Sequence, residues 1–423
     1  MVRSPRPGMT AIAVVGATLG LLLASCSAPS VSVGPIGRHS SAAQPVSVGP
    51  PHISVSPSDQ SQGVALDTPV VVTADSGRLT GVTVQEAGTS NPAGEMSPDG
   101  RNWRLSDGLD SQASYTIQAT ATNDAGQTVS SKAVFTTLQA QDRLLTSRTP
   151  GDGSTVGVGE PIDLHFSTSI PDDRKAALLQ RIQISSTPGV LGAWHWFSDS
   201  VVHFRTQSYW PAGTKVTITA NLKGFNAGNG VWGLGDWSSS FTVGPKHVSV
   251  INDTTHQMQV YENDQLINTW PVSLGKAGYP TLDGTLTVLY KVYDVKMNSC
   301  STFHTATACI PGAGNFYNED VYYDTAISTN GFFIHAAPWS VGQQGHYDVS
   351  HGCVNLSTDR AITFYNWSQI GDVVIIQNTG NLADLSNGEA DWQIDFGQFS
   401  NTNGVGPVFT GPANNAALGG RVF

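Results

Sequence analysis

The sequence predicts a mostly β protein: two immunoglobulin-like β-sandwich modules, then a third β-rich unit with one or two helices. Three observations carry that prediction. Gly (45) and Pro (23) are plentiful while charged residues make up only 13% of the chain, which suits short strands joined by turns better than a helical bundle. Short alternating apolar–polar runs, bounded by Gly, Asn and Asp, fill most of the length. One set of landmarks also recurs at an offset of about 92 residues, the mark of a duplicated module.

The first module is read over residues 52–140 and the second over 141–245. Each opens with a Pro turn, a Val, and a second Pro leading an apolar strand: Pro57, Val64 and Pro69-Val70-Val71-Val72, then Pro150, Val156 and Pro161-Ile162-Asp163-Leu164. Each closes on alternating strands, Tyr115-Thr116-Ile117 with Val134-Phe135-Thr136, and Val216-Thr217-Ile218 with Phe241-Thr242-Val243. About 100 residues of such pattern suit a sandwich. Neither copy holds a cysteine, so no antibody-type disulfide is possible. The modules read as spacers. Trp194, Trp196, Trp210, Trp232 and Trp237 in the second copy leave sugar stacking open beside core packing.

From Lys246 the texture changes. Val248-Ser249-Val250, Met258-Gln259-Val260-Tyr261, Ile267-Asn268-Thr269-Trp270 and Thr285-Leu286-Thr287-Val288 alternate as strands, and Val373-Val374-Ile375-Ile376 reads as a buried one. One clear helix is expected from Asp359 to Trp367, capped by Thr358, with Ala361, Ile362, Phe364 and Tyr365 as its apolar face. This unit is read over 246–380. A polar tail, 381–423, follows with one aromatic stretch, Trp392 to Phe399, and a Gly-, Asn- and Ala-rich end read as disordered.

The N-terminus reads as an export signal over 1–26. Arg3 and Arg6 precede the apolar run Ala11 to Leu23, too short for a confident membrane span. It ends in Leu23-Ala24-Ser25-Cys26, similar to the lipobox of bacterial lipoproteins, in which the Cys is acylated. Residues 27–51, rich in Ser, Pro, Gly and Val, read as a flexible tether. The expected location is the cell envelope, outside the cytoplasm, with a lipid anchor in the membrane. The formal net charge of -11 and the lack of a Lys/Arg cluster after residue 6 exclude a nucleic-acid partner.

Four cysteines sort by position. Cys26 is the lipidation candidate. Cys300 and Cys309, nine positions apart in one polar loop, can form a disulfide in an oxidising compartment. Cys353 would then be the one free thiol, a feature worth attention in an exported protein. It stands in Ser350-His351-Gly352-Cys353-Val354-Asn355, downstream of Phe332-Phe333-Ile334-His335-Ala336-Ala337-Pro338-Trp339. A thiol attacks a carbonyl well only as thiolate, so an activated thiolate held by a nearby imidazole is expected. His335 ends an apolar strand and His351 is two residues from the thiol; both are candidates. Gly352 lets a substrate approach the backbone, and the Cys353 N–H can stabilise an oxyanion. Eleven histidines raise a metal site as the competing reading. No His-Glu-x-x-His or His-x-His pair supports it, and no metal or cofactor is expected.

The Ser-His-Gly-Cys-x-Asn run, with His335 eighteen residues before Cys353, resembles the signature of the L,D-transpeptidase (YkuD-type) family. Ser273-Leu274-Gly275-Lys276 and Thr281-Leu282-Asp283-Gly284-Thr285 resemble that family's early strand-and-turn block. With the two modules, the lipobox and the tail, the chain is similar to the multidomain mycobacterial members. The resemblance implies that Cys353 is the nucleophile and His335 its base, oriented by the main-chain carbonyl of Ala336, where relatives carry Ser. Tyr317 and the Cys353 N–H become oxyanion-hole candidates. His351, Gly352, Ser350 and Asn355 shape the site, and Met297, Trp339 and the 298–316 segment form a flap over it.

It also implies the reaction: a peptidoglycan stem tetrapeptide ending in meso-diaminopimelate–D-Ala is attacked, D-Ala leaves, and a second stem's amine resolves the thioester into a 3→3 cross-link. Carbapenems should acylate the same thiol. An L,D-carboxypeptidase or cross-link hydrolase on this scaffold is the alternative. A non-catalytic wall-binding lipoprotein or an extracellular receptor would leave the Cys, His and Gly unexplained. Oligomeric state has no signal in the sequence.

Overall fold

The structure, a computed structural model, describes residues 49–86, 92–313, 315–389, 391–401 and 404–412. The export segment with Cys26, nearly all of the 27–51 tether and the last residues of the tail lie outside the described residues. Among the described residues no helix is long and apolar enough to cross a membrane.

The first module is a sandwich. One sheet orders His52–Ser56, Val71–Asp75, Asn102–Leu105 and Gly94–Met96; the other orders Arg78–Glu86, Ser114–Thr122 and Thr128–Thr136. Alternation aims Tyr115, Ile117, Ala119 and Ala121 inward from one strand, onto Val72, Ala74, Trp103 and Phe135.

The second module repeats the plan. Ser154–Val156, Trp237–Val243, Lys215–Ala220 and Ile182–Thr187 form one sheet. Leu191–Ser198, Val201–Thr206, Ile162–Phe166 and Thr146–Thr149 form most of the other. The recurring Val has the same job in both copies. Val64 bridges Thr137 in parallel, and Val156 runs parallel to Val243, so each module's entry strand pairs with the end of its own last one.

Trp194, Trp210 and Trp232 are buried, and Trp196 and Trp237 are half-buried beneath Lys175 and Arg148. Packing accounts for the rings of Trp194, Trp210 and Trp232. The sequence reading missed the helix Asp172–Gln180. Only Leu178, Leu179 and Lys175 turn inward, so its apolar period is faint. Two acidic residues in the first turn favour it through the helix dipole.

In the third unit a six-stranded sheet packs on a four-stranded one. The first orders Gln265–Pro271, Gln257–Glu262, His247–Asn252, Val373–Gln377, Leu282–Thr287 and Asn381–Leu382. The second orders Tyr290–Asn298, Asn318–Ala326, Phe333–Ala336 and Val354–Leu356. Ile251, Met258, Leu286, Ile334, Val354 and Phe364 fill the space between. The helix Thr358–Trp367 lies against the strands Phe333–Ala336 and Asn318–Ala326. Its cap position is Ser357, not Thr358, and Ser357 spends its hydroxyl on Asp359 rather than on a backbone N–H.

The tail is docked, a relation its composition did not show. Val408–Phe409 pairs with Leu191 and Gly192 as an edge strand of the second module. Phe399 is fully buried, its ring stacked 4.8 Å from that of His195, and Trp392 Nε1 donates to the Gly159 carbonyl at 2.7 Å. On its other side Gln393 donates to the Thr285 carbonyl of the third unit. The tail straps these two units together.

Candidate active site

The strand Phe333–Ala336 is central in the four-stranded sheet, and its apolar run is what seats it there. His335, in register with Asn355 on the parallel neighbour, is only 4% exposed. Cys353 stands in the bend immediately before the strand Val354–Leu356. Its thiol and the His335 imidazole face the same space. They line one cleft of about 560 Å³. Met297, Tyr317, Trp339, Ser350, His351 and Asn355 line it too. The structure thus brings together the residues the sequence singled out, from segments up to 58 positions apart.

His335 Nδ1 lies 3.0 Å from the Ala336 carbonyl, which can only accept, so that nitrogen carries the proton and Nε2 keeps its lone pair. The bond uses the main chain, so it does not depend on the side chain at position 336. Burial pushes the imidazole down to about 4, the Ala336 bond opposing. Burial pushes the Cys353 thiol up to about 12; a main-chain bond from Phe333 opposes this and the nearby Asp324 carboxyl adds to it. Both partners are thus held neutral at rest. Both directions favour the uncharged forms over the thiolate expected from the sequence.

The loop before Cys353 is fixed by short bonds. Gly352 has φ +127, and a Cβ there would sit 2.8 Å from the Phe332 ring, so glycine is required twice over. Its N–H donates to Ser350 Oγ at 3.0 Å, and Ser350 Oγ donates to the Cys353 carbonyl at 2.6 Å. Asn355 donates to Ser340 Oγ at 3.1 Å, which makes it a brace for the loop. The early block supports the loop from below: Ser273 bridges Asn355 and Gly275 bridges Ser350.

The rings of Tyr317 and Tyr279 lie 4.8 and 4.9 Å from that of His351. Burial, then the Lys276 charge, pushes His351 down to about 4, so it is neutral. Burial raises Tyr317 above its ordinary value, a Thr302 bond opposing, so its phenol remains a donor. Trp339 is 53% exposed at the rim. The segment joining the strands Tyr290–Asn298 and Asn318–Ala326 contributes Ser301, Thr302, Phe316 and Tyr317 to the cleft lining, and Cys300 and Cys309 are joined there in a disulfide with Cα atoms 4.5 Å apart. Cys353 remains the free thiol among the described cysteines.

Two acids went unnoticed in the sequence. Asp348 accepts from the Leu274 N–H at 2.6 Å and lies 3.3 Å from His256 Nε2, anchoring the start of the reactive loop. Asp324 is fully buried with neither oxygen hydrogen-bonded. It sits in a bulge where two residues, Tyr323 and Asp324, oppose His335 alone. Nothing local in the sequence marks either.

The model of the L,D-transpeptidase catalytic domain (YkuD) matches residues 246–376, and a bacterial Ig domain model matches 61–226. L,D-transpeptidase 2 of Mycobacterium tuberculosis is 35% identical over 351 residues, which cover 82% of this chain and 84% of that protein. L,D-transpeptidase 5 of the same species is 30% identical over 91% of this chain and 84% of its own. A solved L,D-transpeptidase from M. tuberculosis H37Rv overlays with a TM-score of 0.44 at 29% identity, covering 56% of this chain and 98% of that one. The likeness to the first two runs through both modules as well as the unit that holds the Cys353 cleft, and on that ground the chain belongs to the L,D-transpeptidase family.

Proposed function

We propose that this transpeptidase joins two peptidoglycan stems by a 3→3 link between meso-diaminopimelate residues, through a thioester on Cys353. The observation that carries the reading is the shared cleft of a free thiol and an imidazole whose Nδ1 is tied to a main-chain carbonyl. That tie leaves Nε2 as the base. As Sγ attacks the diaminopimelate carbonyl, its proton passes to Nε2; the tetrahedral oxyanion is met by the Cys353 N–H and the Tyr317 phenol. Collapse breaks the C–N bond to D-Ala, whose amine takes the proton back from His335. The side-chain amine of a second stem then attacks the thioester and restores the thiol. The thioester conserves the energy of the broken peptide bond, so no nucleotide is consumed.

Cys26 carries the lipid anchor in this proposal, and the two modules hold the cleft away from the membrane in the cell envelope. A carbapenem, with its strained acyl carbonyl, acylates the same sulfur.

Intact-protein mass spectrometry after carbapenem treatment tests the nucleophile. One adduct is expected on the wild type and none on Cys353→Ala; an adduct that survives the substitution would refute the assignment. Incubation with tetrapeptide muropeptides tests the reaction. Cross-linked dimer plus free D-Ala is expected, whereas tripeptide monomer alone would show a hydrolase.

A further inference from the structure

On the second module, strands Ile162–Phe166 and Val201–Thr206 are antiparallel neighbours with Asp163 opposite His203. Residues two apart on a strand, and residues directly opposite on its neighbour, project from one face. Asp163, His165 and His203 therefore point the same way, and one donor atom from each lies within 4.8 Å of the others. The tail reaches His203 there. Both Asp391 oxygens lie 3.1–3.2 Å from His203 Nδ1, and Asp163 Oδ1 is 3.2 Å from the same nitrogen.

One ring N–H cannot serve three carboxylate oxygens. Asp163 Oδ1 has no hydrogen bond although Asp163 is 6% exposed, and Asp391 is fully buried. The neighbouring Glu160, 1% exposed, has both oxygens without a hydrogen bond. Arg205 feels the Asp391 charge but makes no ion pair with it: it donates to the Thr206 and Ile394 carbonyls and lies over the Trp392 and Phe399 rings. Excess buried carboxylate of this kind is costly unless a cation meets it.

We propose that Asp163, His165, His203 and Asp391 form a site for one divalent transition-metal ion, with zinc as the first candidate, that fastens the C-terminal tail to the second module. Two imidazoles with two carboxylates are a mixed nitrogen–oxygen set, which suits zinc; calcium and magnesium take oxygen-only sets. Metal–ligand bonds of about 2.0–2.1 Å in a tetrahedron place ligand atoms about 3.3 Å apart; the carboxylate oxygens of Asp163 and Asp391 already stand 3.1–3.2 Å from His203 Nδ1, and the His165 nitrogen, within 4.8 Å of the Asp163 and His203 donors, would swing in to complete the set. His165 is exposed, which gives the ion a way in.

The test uses the full chain carrying Cys353→Ala, so that the active-site thiol cannot bind the metal, stripped with a chelator and titrated with zinc chloride. One equivalent is expected by calorimetry, with thermal unfolding raised by about 3 °C when zinc is in hundredfold excess over Kd. Cobalt(II) should give the absorption of a tetrahedral site. His165→Ala, an exposed change, should weaken zinc about tenfold or more and lose that spectrum without altering the chelated protein's melting. Absence of binding up to millimolar zinc would mean that protons alone balance the cluster, and would overturn the proposal. Binding unaffected by His165→Ala but lost in His256→Ala would also overturn it, assigning the ion to the Asp253–His256–Asp348 group instead.

Discussion

At Cys353 and His335 burial acts on both partners in one direction, toward the uncharged form. The base-competent state of His335 is the neutral one, and it is lost only as pH falls through about 4. Acylation by a carbapenem should therefore stay measurable down to about pH 5 and fall below it, with no titration step near pH 6.5, the ordinary range of a free histidine. Stopped-flow rates across pH would reveal such a step if a thiolate–imidazolium pair were present at rest. His335→Ala should cost roughly 10²–10⁴ in rate.

Asp324 works on stability instead. Burial, with Asp294 adding, raises its carboxyl from 3.8 to about 7. Between those values the folded state binds more protons than the unfolded one, so stability declines as pH rises through that window and levels off above it. Asp324→Asn should melt higher than wild type at about pH 8 and differ little at about pH 4; equal melting curves at both would show that the carboxyl is solvated.

At the scale of elements, the sequence was legible where chemistry or alternation is local. The strand ending in His335, the Gly352 turn and the helix after Val354-Asn355-Leu356 all follow from short patterns. Helix Asp172–Gln180 was not, because it turns so few apolar side chains inward. The docking of the tail was not either, since Val408–Phe409 finds its partner some 216 residues away and only the folded sheet presents that edge. Asp324 illustrates the same limit: its burial comes from a register shift between two strands, which no run of residues encodes.

The segment that brings Ser301, Thr302 and Tyr317 to the cleft holds the Cys300–Cys309 loop, and Asn298 caps its short helix Ser299–Phe303 by accepting from the Cys300 and Ser301 N–H groups. Cross-linking so short a loop contributes about 2–3 kcal/mol in the chain-entropy account. The paired Cys300→Ser, Cys309→Ser variant should show faster amide exchange in Ser299–Phe303 and a higher KM for the stem peptide at similar kcat. Two free thiols in a mass-spectrometric map of the wild type would remove the premise.

Across the whole molecule, glycines mark the joints. At the first, Gly108 of one module meets Gly224 of the next; a Cβ on Gly108 would lie 2.4 Å from the Lys223 carbonyl oxygen. At the second, the Gly157 and Gly159 N–H groups donate to the Ile370 and Gly371 carbonyls at 2.6 and 2.8 Å, and a Cβ on Gly157 would lie 2.2 Å from the Asp372 nitrogen. The second joint is continuous with both neighbouring cores, because Val373 packs into the second module while Val374, beside it on the same strand, packs into the third unit. That strand pairs with His247–Asn252 in the sheet that packs behind the cleft.

The two joints should therefore answer differently to the same added methyl. Gly108→Ala should open the first joint, seen as new proteolytic cleavage between the modules, with carbapenem acylation unchanged. Gly157→Ala should lower the melting temperature and slow acylation together, since the strain reaches Val373 and the sheet behind the cleft. If Gly157→Ala acylates at the wild-type rate while melting earlier, the second module is a spacer like the first; if both observables fall, it is a structural part of the active site.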